Sequence, residues 1–306
     1  METAAFHSLS QALEELFGST VRLAERRRVF GGDINEAYQL VLAGVEDSGI
    51  GRELFMKTNA KDKLSFFRAE AAGLEALRRA NAVGIPKVLG IGTEAGSGGY
   101  AFLLMEWVGG AEHRPDYWEV FAAQLACMHR APAADFVTDG AYGFWQDNYI
   151  GAGRQVNTAY DSWIDFFREC RLKPQFESAA PYFDQSDQKK ISRILERADR
   201  ILIEPEHPSL LHGDLWSGNV IAGNDGRAWL IDPAVYVGHA EADLAMTELF
   251  GGFPGAFYKA YKKAAPLQPG YERRRDFYNL YHLLNHLNLF GRTYLASVKR
   301  IMDEYL

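Results

Sequence analysis

The period of the hydrophobic positions changes several times along the chain, and the changes predict most of its elements. Residues 8–17 read as a short helix, and from 20 to about 58 the texture is that of strands. VRLAERRRVF runs to a break at Gly31-Gly32-Asp33, EAYQLVLAG follows, and a turn region at 46–52 leads into ELFMKT. Residues 63–80 set Leu64, Phe67, Ala71, Leu74 and Leu77 at helical spacing, which predicts a helix with one apolar face. Two more strands, PKVLGIG and YAFLLMEWV, lie on either side of a turn at 96–99.

Past Val108-Gly109-Gly110 the texture becomes helical. DYWEVFAAQLACMHR (116–130) predicts a helix, a loop-rich stretch runs to about 156, and helices are expected at 157–172 and 186–203. Two short strands flank 212–219, the pattern ends at Leu230-Ile231-Asp232, and the chain from 240 reads as helix. The expected fold class is α+β. A small N-terminal antiparallel sheet lobe with one main helix would occupy 1–108, and a larger, mostly helical lobe 109–306.

Composition narrows the function classes. With 47% hydrophobic residues the chain can bury a sizeable core. A formal net charge of -7 offers no basic footprint for nucleic acid or an anionic membrane, and neither partner is expected. Cys127 and Cys170 are too few for a disulfide framework or zinc cluster and read as buried, reduced thiols. The N-terminus lacks the basic start and apolar run of a secretory leader, and no apolar stretch approaches the ~20 residues of a membrane span. A cytoplasmic protein, monomeric by default, is the expectation.

The sharpest chemical signal is Leu211-His212-Gly213-Asp214-Leu215-Trp216-Ser217-Gly218-Asn219, which fits the kinase catalytic-loop pattern H-x-D-L-x-x-x-N. A tight loop can aim the Asp214 carboxylate at an incoming hydroxyl while the Asn219 amide reaches a metal on the phosphates. Asp232, 18 residues beyond Asp214, emerges from an apolar strand where it can hold Mg²⁺. Lys57, closing the strand ELFMK, and Glu70, in the following helix, would each be ordinary surface charges alone. Together they fit the strand lysine and helix glutamate whose ion pair positions ATP phosphates. Gly31-Gly32 suits a loop over phosphates, or simply a hairpin turn. The order of these elements is the order a kinase fold requires.

On these residues the chain resembles the fructosamine kinase (ketosamine-3-kinase) family, within the protein-kinase-like superfamily that includes aminoglycoside phosphotransferases and choline kinases. H-G-D-L-x-x-G-N is shared across those relatives; LLHGDLWSGN, DPAVYVGHAEADLAM and LFGGFPGAFYKAY are more diagnostic. YGFWQDNYIGAGRQVNT, running into WIDFFRECRL, looks like an insertion of that family.

The resemblance implies a bilobal kinase-like fold and an ATP- and Mg²⁺-dependent kinase for the 3-hydroxyl of ketosamines, free or protein-bound. Such an enzyme would lead to deglycation of amines. Carried over residue by residue, Asp214 would accept the proton, Asn219 and Asp232 would hold Mg²⁺, Lys57 would sit on the phosphates and Glu70 would orient it. Glu106-Trp107-Val108 looks like the hinge that holds the adenine edge. Trp216 is a candidate wall for the sugar-amine, with a buried structural tryptophan as an equal alternative. His212 and Asp243 would support the loop, Asp243 otherwise being a helix-surface acid; His239 and Glu241 rank below them in the same scaffold.

Departures from the pattern matter too. Gly213 replaces the arginine of H-R-D, no A-P-E follows, and Pro233-Ala234 replaces Phe-Gly, which together predict an enzyme not switched by loop phosphorylation. Asp33 stands where some relatives carry a redox-sensitive cysteine. A kinase for another amino alcohol or an aminoglycoside, and a nucleotide-binding pseudokinase scaffold, are the alternative readings.

Overall fold

The computed structural model describes residues 3–31, 34–45, 52–96 and 98–306. Its N-terminal part is a six-stranded sheet. The strands are β1 (Ala5–Phe6), β2 (Arg22–Val29), β3 (Glu36–Ala43), β4 (Glu53–Ala60), β5 (Val88–Thr93) and β6 (Tyr100–Glu106), in the order β1-β5-β6-β4-β3-β2. Helices α1 (Leu9–Phe17) and α2 (Leu64–Ala80) cover its two faces. Alternation along the central strands explains the layering. Leu54, Met56, Phe102 and Leu104 meet Phe6, Leu9 and Leu13 in one core, whereas Leu103 and Met105 meet Phe67, Leu74 and Leu77 of α2 in the other. Ser8 caps α1, its hydroxyl accepting from the Gln11 N–H.

The second core runs on from α2 into the helical part, where α3 (Tyr117–His129) follows the connection after β6. A hairpin, β7 (Asn148–Ile150) and β8 (Gly153–Gln155), precedes a helical run of α4 (Trp163–Phe166), a π-helical stretch Phe167–Leu172 and α5 (Lys173–Ser178). Next come α6 (Gln185–Glu196) and α7 (Ala198–Ile201), and then β9 (Ser209–Leu211), β10 (Val220–Ala222), β11 (Ala228–Leu230) and β12 (Tyr236–Gly238). The chain ends in α8 (Ala240–Leu249), α9 (Gly255–Ala264), α10 (Tyr271–Phe290) and α11 (Leu295–Glu304). α3 packs on α9, and α10 on α8. The α+β arrangement of a sheet lobe and a helical lobe is therefore as expected, and no helix of the described residues is long and apolar enough to cross a membrane.

Several details correct the expectations. The sheet is not wholly antiparallel, because β1 pairs parallel to β5. Two residues suffice there because the Phe6 ring fills the space over Gly90, where a Cβ would lie 2.2 Å from Phe6 Cε2. The helix expected at 157–172 starts at Trp163, where the Ser162 hydroxyl caps it, and continues to Ser178. Residues 157–160 instead run extended against Tyr142 and Phe144. Lys57 does not close its strand; β4 continues for three residues beyond it to Ala60. Cys170 is buried as expected, but Cys127 is exposed, being on the outer side of α3 while Ala126 and Met128 face the core.

Candidate active site

Alternation on β4 sends Leu54 and Met56 into the core beneath α1 and turns Phe55 and Lys57 towards the cleft between the lobes. There Lys57 Nζ lies 2.6 Å from Glu70 Oε1 on α2 and 2.5 Å from Asp232 Oδ1. Burial opposes the lysine charge, but Asp232 and Glu70 outweigh it and hold the ammonium above its ordinary range. Burial also pushes the Glu70 carboxyl up, against the pull of Lys57. Two residues that read as surface charges in isolation are thus a buried pair, joined from the far part of the chain by Asp232, whose side chain is half-exposed. Asp232 itself holds φ at +55°, a left-handed backbone that non-glycine residues seldom adopt away from functional sites.

The loop after β9 is fixed by its backbone. Gly213 has φ +81°, and a Cβ there would lie 2.0 Å from the Ala234 carbonyl oxygen, so no side chain fits at this position. The buried Asp243 carboxylate on α8 accepts from the His212 and Gly213 amides, each at 2.8 Å, and is not a surface acid. Burial works against its charge, yet hydrogen bonds and the nearby histidines keep it below the usual carboxylate range. The His212 ring, lowered in pKa by burial, donates from Nε2 to Ile231 O at 2.9 Å and accepts the Asp214 N–H at Nδ1. His239 caps α8, and Glu241 grips Arg274 at 2.6 and 2.7 Å; both tie α8 to its surroundings away from the cleft.

On this support the Asp214 carboxyl is pushed up to about 7, chiefly by burial, with Asp232 and Asp243 adding to the effect and the Asn219 hydrogen bond opposing it. Asn219 Nδ2 donates to Asp214 O at 2.8 Å and to Asp214 Oδ2 at 3.1 Å. This leaves the Asn219 amide oxygen available as a ligand, as is the Asp232 oxygen that Lys57 does not engage. Both are hard oxygen donors of the kind Mg²⁺ takes. Among the described residues no group of three or more His, Cys, Asp or Glu side chains encloses a metal. A Mg²⁺ carried mostly by phosphates and water fits such a sparse protein set.

These groups line one cleft of about 820 Å³. At one end are Gly31, Phe55 and the strand end Glu106, Trp107 and Val108. The Glu106 carboxylate is already committed, accepting from the Lys87 N–H at 2.6 Å. Gly32 and Asp33 lie outside the described residues. Trp216 also lines the cleft and is 38% exposed, so it is not a buried structural tryptophan. Gly218 makes room for it, since a Cβ there would be 2.4 Å from the indole ring.

The other end of the cleft holds residues that sequence reasoning missed. Phe250 lies edge-on to Trp216 at 6.4 Å, His286 is 4.7 Å from Phe250, and Phe290 and Tyr294 follow at 5.4 and 5.1 Å from His286. His286 Nδ1 donates to His282 O at 2.8 Å, which leaves Nε2 as an acceptor on a ring that burial keeps neutral. The available signal was the i, i+4 spacing of His286 and Phe290, hidden in a helix that buries apolar and polar residues around most of its circumference.

Comparison with known proteins bears on the chain and its fold as a whole. The family model described as fructosamine kinase matches residues 5–306. A chloroplastic protein-ribulosamine 3-kinase of Oryza sativa subsp. indica is 38% identical over 298 residues, covering 94% of this chain and 81% of its own. A crystal structure from Haemophilus somnus, described as a fructosamine-3-kinase, superposes with TM-score 0.82 at 31% identity, covering 98% of this chain and 97% of that one. An aminoglycoside phosphotransferase crystallised with AMP-PNP and hygromycin B shares the fold alone, with TM-score 0.61 at 16% identity over 97% of this chain.

Proposed function

The chain belongs to the fructosamine kinase family, and from that premise we propose that it transfers the γ-phosphoryl group of ATP to the 3-hydroxyl of a ketosamine. The observation that carries the reading is the shared cleft: Asp214 and the Lys57–Glu70–Asp232 cluster line it together, and burial there raises the Asp214 carboxyl to about 7. A carboxylate poised near neutral pH is suited to accept a hydroxyl proton as the new O–P bond forms. Lys57, held by Glu70, faces the nucleotide phosphates, and the backbone at Glu106–Val108 meets the adenine edge. Asn219 Oδ1 and the second Asp232 oxygen would hold Mg²⁺, which when bound would supply charge neutralisation on the transferring group. With little covalent work for the protein to do, its contribution is positioning and electrostatics.

Trp216, Phe250, His286 and Phe290 form the wall for the sugar-amine. Loss of a C1 proton from the phosphorylated product gives the 1,2-enaminol, from which the C3 phosphate departs as inorganic phosphate. Water then hydrolyses the resulting imine at C1 and frees the amine, so one phosphorylation commits the adduct to deglycation.

The test is ATP consumption with Mg²⁺ on ribulosyl-lysine and fructosyl-lysine, with aminoglycosides and choline as controls. Turnover on a ketosamine followed by release of free lysine is expected. Turnover on a control alone would overturn the substrate and retain phosphoryl transfer. Silence on all acceptors, with nucleotide still bound, would leave a scaffold.

A further inference from the structure

Two arginines are deeply buried in the helical lobe, and they are treated differently. Arg274 is paired with the Glu241 carboxylate. Arg171, fully buried, has no carboxylate partner among the described residues. Its guanidinium donates to Val156 O at 2.6 Å, Cys170 O at 2.9 Å and Asn157 Oδ1 at 2.7 Å, and lies 3.9 Å from the centre of the Tyr236 ring. Nε has no partner. An unpaired buried cation is costly, so its retention calls for a reason.

The groups it touches lead to the segment after Asp232. Asn157 Nδ2 donates to Asn148 Oδ1 at 2.9 Å, and Gln155 Nε2 donates to the same oxygen at 2.8 Å. Asn148 then donates to Val235 O at 2.7 Å and Gln155 to Ala234 O at 3.0 Å, while the Tyr281 hydroxyl donates to Gln155 Oε1 at 2.5 Å. From the other sides, Ala234 N donates to His212 O, Val237 N donates to Gly143 O, and Gly73 of α2 lies against the Val235 side chain. The backbone of 233–237 is thereby held between the hairpin β7–β8, the catalytic loop and α2.

We propose that Arg171 is a positioning residue that, through Asn157, Asn148 and Gln155, locks the segment following Asp232 in its working conformation without any phosphorylation. In H-R-D kinases the arginine beside the catalytic aspartate organises this segment by reading a phosphate on it. That route is closed here, because Ala234 O occupies the space any side chain at 213 would need. Arg171 performs the same organising task from the far side, with fixed amides and carbonyls in place of a phosphate. A planar guanidinium suits the task, since its rigid fork fixes the directions of its acceptors and its face stacks on Tyr236, where an ammonium's three donors rotate freely. The π-helical stretch Phe167–Leu172, a feature often found at functional sites, carries this arginine.

The experiment uses the full chain with Arg171→Met and Tyr281→Phe, and Val298→Ala as a control that weakens the core elsewhere. Amide hydrogen exchange of 233–237 and steady-state kinetics are read at a temperature where all remain folded. Arg171→Met is expected to speed exchange of the Ala234 and Val237 amides at least tenfold and to lower kcat at least tenfold, with the ATP KM unchanged. Tyr281→Phe, which removes one hydroxyl and leaves little cavity, should move both readouts the same way by about threefold, and it decides the matter should Arg171→Met not fold. Unchanged exchange in 233–237, or losses no greater than in Val298→Ala, would overturn the proposal. Only the kinetic arm rests on the kinase reading. Faster exchange in a protein that turns over no acceptor would therefore count against that reading and not against the clamp.

Discussion

The two ends of the cleft are built on different principles. At the end proposed to take the phosphates, here the phosphate end, Lys57, Glu70, Asp214, Asn219 and Asp232 are charged or amide side chains with fixed partners, held by hydrogen bonds of 2.5 to 3.1 Å. At the other end, Trp216, Phe250, His286 and Phe290 meet as rings, and Trp216 and Phe290 are 38% and 49% exposed. The first end is finished before a ligand arrives; the second is left open for one to complete. Phosphoryl transfer needs preorganised charge, whereas an acceptor that varies in its amine is better met by apolar surface. Changes at the first end should therefore act on turnover, and changes at the second on substrate affinity.

The largest expected effect is that of Asp214→Asn. Turnover should fall about 10²–10⁴-fold, the range for loss of a positioned general base, while ATP affinity stays within about threefold. Steady-state kinetics beside a nucleotide titration checks this. Wild-type turnover in the variant would remove Asp214 from the chemistry and with it the contrast between the ends.

The same variant makes a second, smaller prediction through stability. The ordinary aspartate value is 3.8 and the folded value about 7. Between those pH values the unfolded chain has released a proton that the native state still holds, so this group costs wild-type stability as pH rises through that window. The carboxamide of the Asp214→Asn variant has no proton to lose. The nucleotide-free variant should therefore be the more stable protein, with a margin that widens from pH 5 to pH 7 and is level above it. The linkage bound is about 4 kcal/mol. Thermal melts across pH measure the margin, and a margin independent of pH would show that burial is not what perturbs this carboxyl.

How far the sequence reads follows the same division. The catalytic loop was legible because its chemistry is confined to nine adjacent residues, 211–219, where spacing alone sets geometry. Lys57, Glu70 and Asp232 were legible only by their order, since each belongs to an element whose period was clear. Of the aromatic wall only Trp216 was legible, by its place in the loop motif. Phe250 follows α8 whereas His286 and Phe290 belong to α10, which buries residues around most of its circumference, so no apolar stripe singles out the face that meets the cleft. The Arg171 network was hidden for another reason. A buried arginine and three amides in a loop-rich stretch have the composition of a surface, and only the fold shows their carbonyl partners. The short strand β1 escaped because a Phe6 ring over Gly90, not alternation, holds it.

Third in size, Trp216→Ala, His286→Ala and Phe290→Ala should each raise the ketosamine KM about tenfold and leave the ATP KM alone. Tenfold is the upper end of the ~0.5–1.5 kcal/mol that an aromatic contact adds beyond the area it buries. Initial rates with each substrate varied in turn separate the two constants. A tenfold loss of kcat with both KM values unchanged would mean that the wall holds catalytic groups in place, and the division between the ends would fail.

The smallest effect is expected at Phe30, which tests whether the phosphate end is as finished as its ion pairs suggest. Phe30 is 85% exposed beside Gly31, with the Arg28 guanidinium 5.6 Å from its ring. A side chain so exposed contributes almost nothing to folding, and Phe30→Ala should leave the melting temperature unchanged within about 1 °C. Phe30 lines the cleft, and if bound nucleotide covers its ring, its loss should raise the ATP KM roughly threefold. No change in any constant would leave the Phe30 ring without a part in binding and the phosphate end complete as it stands. A rise in the ketosamine KM instead would place Phe30 with the aromatic wall, which would then extend across both lobes.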